Sequence, residues 1–280
     1  AAGLVPNPTT QDEATDPALS VKGTYETVQT REQLDAWIAK LKAADEFAFD
    51  TETDALDAMR AKLVGLSFST EPGSGCYIPV GHTYPGAPTQ LDLRETLEAL
   101  RPLLESKQHR KLGQHGKYDI HVLRRHGVNI DGYADDTMLE SFIWKSSEIG
   151  HGMDALAKRH LDYNTIKFED VAGKGAKQIS FADVAIDDAT GYAAEDADIT
   201  LRLWHRLKPR IAAENAARVY ELVDRPLVPI VAAMEREGVK VDREHLSALS
   251  QTFATEISRL EERVFEAACG PFTIGVEDSR

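Results

Sequence analysis

The chain predicts an α/β or α+β domain followed by a helical extension. Three observations carry that expectation. Short β-prone runs dominate up to residue 80, strand and helix patterns alternate between residues 91 and 127, and helical periodicity alone is found beyond residue 135. The turn signals between these runs separate the elements.

Residues 1–22 contain Pro6, Pro8 and Pro17 among scattered Thr, Asp and Gln, lack an apolar period, and read as a linker or tail. Folded structure is expected to start near Tyr25. Leu34, Trp37, Ile38 and Leu41 recur at spacings of three and four behind Thr30, so residues 30–41 form an amphipathic helix with a Thr cap. The run Phe47-Ala48-Phe49 follows as a strand. Further apolar runs at 63–69 and 76–80, separated by Glu71-Pro72-Gly73-Ser74-Gly75, extend it to three antiparallel strands. Leu93, Leu97, Leu100, Leu103 and Leu104 mark the next helix, and Lys111-Leu112-Gly113 a short strand. A helix over 116–126 ends before Gly127, which suits a left-handed cap. Helices over 135–144 and 153–161 bracket a polar loop at 146–152, and residues 164–178, with Gly173 and Gly175, are the most loop-like interior segment. A long helix over 186–213 buries Leu201, Leu203, Trp204 and Leu207, and Pro209 is expected to bend or interrupt it. Helices over 219–237 and 244–268 flank a break at Gly238-Val239-Lys240-Val241. The expected organisation is a tail to residue 22, a main domain over 23–213 and a helical extension over 214–280.

The chain has 280 residues, 42% hydrophobic and 28% charged, the balance of an ordinary globular protein with a full core. No stretch reaches the roughly 18 uninterrupted apolar residues of a membrane span, and the start lacks a basic region followed by an apolar one, so a cytoplasmic protein without membrane contact is expected. Cys76 and Cys269 are far apart and have no ligand-spaced neighbour, which favours packed or idle thiols over a disulfide or zinc site. The net charge of −14 argues against a grip on long duplex through phosphate neutralisation. It leaves room for a site that takes only a strand end and draws its positive charge from metal ions.

The strand ending Phe49-Asp50-Thr51-Glu52-Thr53 is the centre of the functional reading. Successive strand side chains alternate faces, so Asp50 and Glu52 share one face about 7 Å apart along the chain. Like charges so placed call for a cation, a proton or open water. On spacing alone, an exposed acidic strand end and a hard oxygen-ligand site for Mg²⁺ or Mn²⁺ both remain open. Two later segments bear on the choice. Asp119 falls in the first turn of a helix after Gly113-Gln114-His115-Gly116-Lys117-Tyr118, where amides and Lys117 can steady it. Tyr192 and Asp196 stand four apart on one helical face, with small Ala193, Ala194 and Ala197 around them. Arg124-Arg125-His126 and Lys158-Arg159-His160 read as solvated helix ends, with phosphate contact the alternative.

Taken together, Asp50-Thr51-Glu52, Tyr118-Asp119 and Tyr192-Ala193-Ala194-Glu195-Asp196 resemble, in order, the three motifs of the DEDD family of 3′–5′ exonucleases. Tyr192 lies four residues before the last Asp and Gly191 stands where the other branch has His, which places the resemblance in the tyrosine (DEDDy) subclass. Phe47 through Asp54, Asp136-Thr137-Met138-Leu139-Glu140-Ser141 and Ala172-Gly173-Lys174-Gly175 look like the proofreading domains of bacterial, family A (Klenow-type) DNA polymerase I, over roughly residues 25–265.

That resemblance implies a ribonuclease H-like mixed sheet flanked by helices. It implies that Asp50, Glu52, Asp119 and Asp196 hold two divalent cations, Mg²⁺ or Mn²⁺ with Zn²⁺ an alternative at one position, and that Tyr192 orients the attacking water. Thr51, Leu56, Gln114, His115, Lys117, Tyr118 and Phe168 are implied substrate contacts, Leu56 and Phe168 wedging against terminal bases. Relatives often carry Asn-Leu where this chain has His115-Gly116, a departure at one of those contacts. The implied partner is the 3′ end of single-stranded or frayed DNA, with a polymerase domain in cis or in trans and a monomeric chain. Arg225-Pro226-Leu227-Val228-Pro229-Ile230 and Met234 through Val239 look like the start of a family A polymerase domain. No polymerase active-site motif follows, so the chain is expected to degrade DNA and not to make it. The alternatives are an exoribonuclease of the ribonuclease D type and a catalytically silent structural module of a polymerase.

Overall fold

The computed structural model describes residues 22–270. Among these, residues 22–236 form one compact unit and residues 237–270 belong to a second. Residues 214–236, which the sequence groups with the extension, lie in the first unit.

The first unit is built on six strands, β1 (Thr24–Thr27), β2 (Glu46–Thr53), β3 (Leu63–Glu71), β4 (Ser74–Pro79), β5 (Arg110–Gly113) and β6 (Tyr133–Asp136). Their order in the sheet is β1-β4-β3-β2-β5-β6. β2, β3 and β4 pair antiparallel, as their short connections require, whereas β1 joins β4, and β5 joins β2 and β6, in parallel. The helices are α1 (Arg31–Ala43), α2 (Leu93–Leu104), α3 (Lys117–Arg125), α4 (Thr137–Trp144), α5 (Met153–Leu161), α6 (Phe168–Ala172), α7 (Ile186–Ala213), α8 (Ala217–Val219) and α9 (Arg225–Glu237). The second unit contains α10 (Arg243–Ala267).

Strand alternation sorts β2 between two helical layers. Phe47 and Phe49 join Leu34, Trp37, Leu41, Leu97, Leu100 and Val122 in a core under α1, α2 and α3. Ala48, on the opposite face, packs with Leu112, Ala134 and Leu201 of α7. α1 starts where the Thr30 hydroxyl accepts the Gln33 amide while the Gln33 side chain accepts from the Thr30 amide.

α7 lies across β1 to β5. Its small Ala189, Ala193 and Ala194 pack on Val64 and Tyr77, allowing backbone to approach sheet closely. A Cβ placed on Gly75 of β4 would lie 2.7 Å from the Ala194 carbonyl oxygen, so only glycine fits there. The helix is fixed further by a buried pair. Asp198 accepts from Arg202 Nε at 2.9 Å, from the Tyr25 hydroxyl at 2.9 Å and from the Gly73 amide at 2.8 Å, tying α7 to β1 and to the β3–β4 turn.

Three expectations need correction. α7 runs unbroken through Pro209, because buried Leu203, Leu207 and Ile211 hold both sides of the proline against their neighbours and outweigh its missing amide bond. The helix expected from residue 135 begins at Thr137. Tyr133–Asp136 is a strand, and the Asp136 carboxylate caps the helix by accepting from the Met138 and Leu139 amides. The loop-like stretch 164–178 contains the short helix α6 and a 3₁₀ turn at Gly175–Lys177. β1, four residues long, was also not anticipated as a strand.

The close approach at Gly75 makes a stability prediction. Gly75→Ala should lower unfolding stability by about 1–3 kcal/mol, since the Ala194 backbone cannot move aside. Urea unfolding measures it, and an unchanged midpoint would contradict the close packing of α7.

Candidate active site

The same alternation that buries Ala48 against α7 turns Asp50 and Glu52 toward that helix. α7 supplies Asp196 and Tyr192 to meet them. Carboxylate oxygens of Asp50, Glu52 and Asp196 all lie within 4.8 Å of one another. Glu52 is buried, and its Oε1 has no hydrogen-bond partner among the described residues.

Thr51 faces the other layer, toward α3. Both its amide, at 2.9 Å, and its hydroxyl donate to Oδ1 of Asp119, which is itself buried. Asp119 therefore approaches from behind the strand, anchored by the residue between the two β2 acids. It stands outside the group of three whose oxygens lie within 4.8 Å, but it is coupled to it: the Asp50 charge acts on Asp119, and the Asp119 charge acts on Glu52.

Burial pushes all four carboxyls well above the usual carboxylate range. The Asp196 charge adds to the shift of Asp50, the Asp50 and Asp196 charges to that of Glu52, and the neighbouring Glu195 charge to that of Asp196. Hydrogen bonds from Thr51 oppose the shift at Asp119, and one from Tyr192 opposes it at Asp196. Burial, and then the Asp196 charge, raise the Tyr192 phenol, so it remains protonated and donates to Asp196. Hard oxygen donors, crowded negative charge and a buried carboxylate oxygen without a proton donor are what a divalent cation would satisfy. The residues fit such an ion.

The acids open into a cleft of about 590 Å³. Thr51, Leu56, Tyr118, Phe168 and Tyr192 line it together with Asp50, Glu52 and Asp196. Leu56 is 98% exposed, which leaves a whole apolar side chain free at the rim. The Tyr118 hydroxyl donates to the Ala55 carbonyl at 2.6 Å and pairs with Thr53, bracing the turn that carries Leu56. Phe168 stacks on Phe181 with centroids 6.2 Å apart and meets Tyr192 edge-on at 6.2 Å.

Gln114, His115 and Lys117 do not line this cleft. Gln114 bonds Thr137 and the His151 carbonyl. Lys117 pairs with Glu235 of α9, and with His115 it borders a separate hollow of about 290 Å³ against Leu227 and Val231. His115 itself adopts φ 58°, a left-handed conformation that Asn and His tolerate better than most side chains. A Cβ placed on the neighbouring Gly116 would collide with the Tyr133 hydroxyl, so a larger residue there needs that ring to shift. Sequence reasoning missed Phe181, Gln178, Ile179 and Ser180 in the cleft wall. No local signal marks them, because they reach the site only through the return of the chain after α6.

Residues 25–212 match the family described as 3′–5′ exonuclease. DNA polymerase I of Pseudomonas aeruginosa is 44% identical over 254 residues, which cover 90% of this chain and 28% of that protein. The chain thus spans little more than a quarter of such a relative. Among solved structures, the POL domain of Pol1 from M. smegmatis in complex with DNA primer-template and dNTP superposes with a TM-score of 0.71 at 20% identity, over 90% of this chain and 39% of that one. Brucella melitensis NrnC superposes with a TM-score of 0.57 at 20% identity, over 78% and 94% of the two chains.

The raised carboxyls have a consequence for stability. A group whose native pKa is raised contributes stability that is full below its unfolded pKa, about 4 for these acids, and is lost as pH rises through the native value. In chelator, wild-type protein should therefore weaken between about pH 4 and pH 7. Asp196→Asn, which removes one charge, should be more stable than wild type by about 1–2 kcal/mol at pH 7 and no more stable at pH 4. Urea unfolding in EDTA at the two pH values measures both. A variant equally destabilised at both would contradict the crowding of charge.

Proposed function

This chain belongs to the 3′–5′ exonuclease family of DNA polymerase I, and on that premise we propose that the cleft hydrolyses the last phosphodiester of a single-stranded or frayed DNA 3′ end, releasing a nucleoside 5′-monophosphate. The observation that carries this reading is the meeting of Asp50, Glu52 and Asp196 within 4.8 Å, with the protonated Tyr192 bonded to Asp196. Asp50, Glu52, Asp119 and Asp196 would hold two divalent cations, Mg²⁺ or Mn²⁺, with Zn²⁺ an alternative at one position. When bound, such ions acidify a water and neutralise the departing 3′ oxygen.

The chain's own residues do the rest. Tyr192 orients the attacking water through its hydroxyl and, keeping its proton at neutral pH, does not act as the base. Asp119 is held in place by the two Thr51 donors, so the fourth carboxylate is positioned before substrate arrives. Leu56 and Phe168 grip the terminal bases by apolar stacking, which suits any sequence. Gln114, His115, Lys117 and Tyr118 contact the strand further from the scissile bond. The nuclease domain comprises residues 23–213, and the helical extension over 214–280 resembles the start of a polymerase domain. The chain works as a cytoplasmic monomer on ends presented by a polymerase in cis or in trans. No helix among the described residues is long and apolar enough to cross a membrane.

Asp119→Asn should cut turnover of a single-stranded oligodeoxynucleotide in Mg²⁺ by at least about 10³-fold, and Tyr192→Phe by a smaller factor, about 10 to 10²-fold. Undiminished turnover by Asp119→Asn would remove that carboxylate from the chemistry. Hydrolysis of DNA and RNA oligomers of equal sequence should favour DNA. A strong RNA preference would replace the proofreading reading by an exoribonuclease of the ribonuclease D type.

A further inference from the structure

One carboxylate beside the site is neither a cation ligand nor exposed. Glu195, on α7 next to Asp196, is 3% accessible and is turned away from the acid cluster. Its Oε1 accepts from the Tyr163 hydroxyl at 2.7 Å and its Oε2 from the Ile166 amide at 2.6 Å. Both donors belong to the short segment between α5 and α6. Tyr163 is held from a second side, where the Arg202 guanidinium lies 5.5 Å from the centre of its ring, and Arg202 is itself locked to Asp198. Two residues after Ile166 the chain reaches Phe168, the first residue of α6, whose ring stands in the cleft against Phe181 and Tyr192.

We propose that Glu195 is a positioning residue that acts through Phe168: by clasping Tyr163 and Ile166 it fixes the approach to α6, and so sets the aromatic wall that grips the DNA end relative to Asp196. The inference rests on the exonuclease reading above and adds a residue to it. Its physical basis is the short chain path. One hydrogen bond to a buried carboxylate anchors a backbone amide two residues from the stacking ring and a second holds the Tyr163 side chain, while α7 carries anchor and cation ligand side by side. An error in the anchor is then an error in the distance between the stacked base and the acids.

Tyr163→Phe removes one donor and little volume, and tests the clasp while the Ile166 amide still bonds the carboxylate. In the full chain with Mg²⁺, it should raise KM for a single-stranded oligodeoxynucleotide about three- to tenfold while kcat stays within about twofold, since base stacking is ground-state grip. Glu195→Ala, which removes both acceptors, should give the same pattern. In a Phe168→Ala background, either change should add less than about a further twofold. Hydrogen exchange at the Ile166 amide should quicken in Glu195→Ala. Losses that multiply with Phe168→Ala, a fall in kcat at constant KM, or unchanged kinetics and exchange would each overturn the proposal while leaving the exonuclease reading standing. A wild-type chain that cleaves no DNA end would overturn both.

Discussion

The constraint on which this structure depends is the enforced proximity of like charges. Four carboxylates from β2, α3 and α7 are gathered at one cleft, Glu52 and Asp119 buried and Asp50 and Asp196 half-buried, and each is pushed toward its neutral form by burial and by neighbouring carboxylate charge. Such a cluster costs folding energy unless protons or cations compensate it. The rest of the domain is organised to hold it nonetheless. Strand alternation separates the labour on β2: Phe47 and Phe49 bind one helical layer, Asp50 and Glu52 address the other, and Thr51 reaches back to fix Asp119.

What opposes that repulsion is a rigid frame. α7 seats its alanines on the sheet at a separation that only Gly75 permits, and Asp198 locks the helix to β1 and the β3–β4 turn through Tyr25, Gly73 and Arg202. A buried ion pair contributes little net stability by itself, but one that satisfies all its partners specifies a unique arrangement. Here it fixes the rotation of the helix that brings Tyr192 and Asp196 to β2. A second set of bonds, at Asp135, joins Arg110, Trp204 and Lys208 across β5, β6 and α7.

Much of this was legible in the sequence. The spacing of Leu34, Trp37, Ile38 and Leu41 defined α1, the apolar runs at 63–69 and 76–80 defined the antiparallel strands, and the limits of α7 followed from its period. Asp50 and Glu52 could be placed on one face from alternation alone. The convergence of β2, α3 and α7 could not, because nothing local records which face of a helix meets which strand; only the resemblance to a known family joined the motifs. β1 and β6, four residues each, are too short to show a period, and β6 is further hidden by Asp135, whose charge reads as solvent-facing until Arg110 and Lys208 are found beside it. Pro209 does not interrupt α7, because tertiary packing on both sides of it outweighs one lost amide bond. Gln114, His115 and Lys117 lie outside the lining of the acid cleft, and Lys117 is engaged by Glu235 of α9, a partner distant in sequence.

The central claim is that the converging acids bind a pair of cations at the place where the strand end is cut. Anomalous diffraction at the manganese edge, from crystals of this chain soaked in Mn²⁺, tests it most directly. The account predicts two peaks beside the side chains of residues 50, 52, 119 and 196. A fully soaked crystal with no peak among those carboxylates would contradict it.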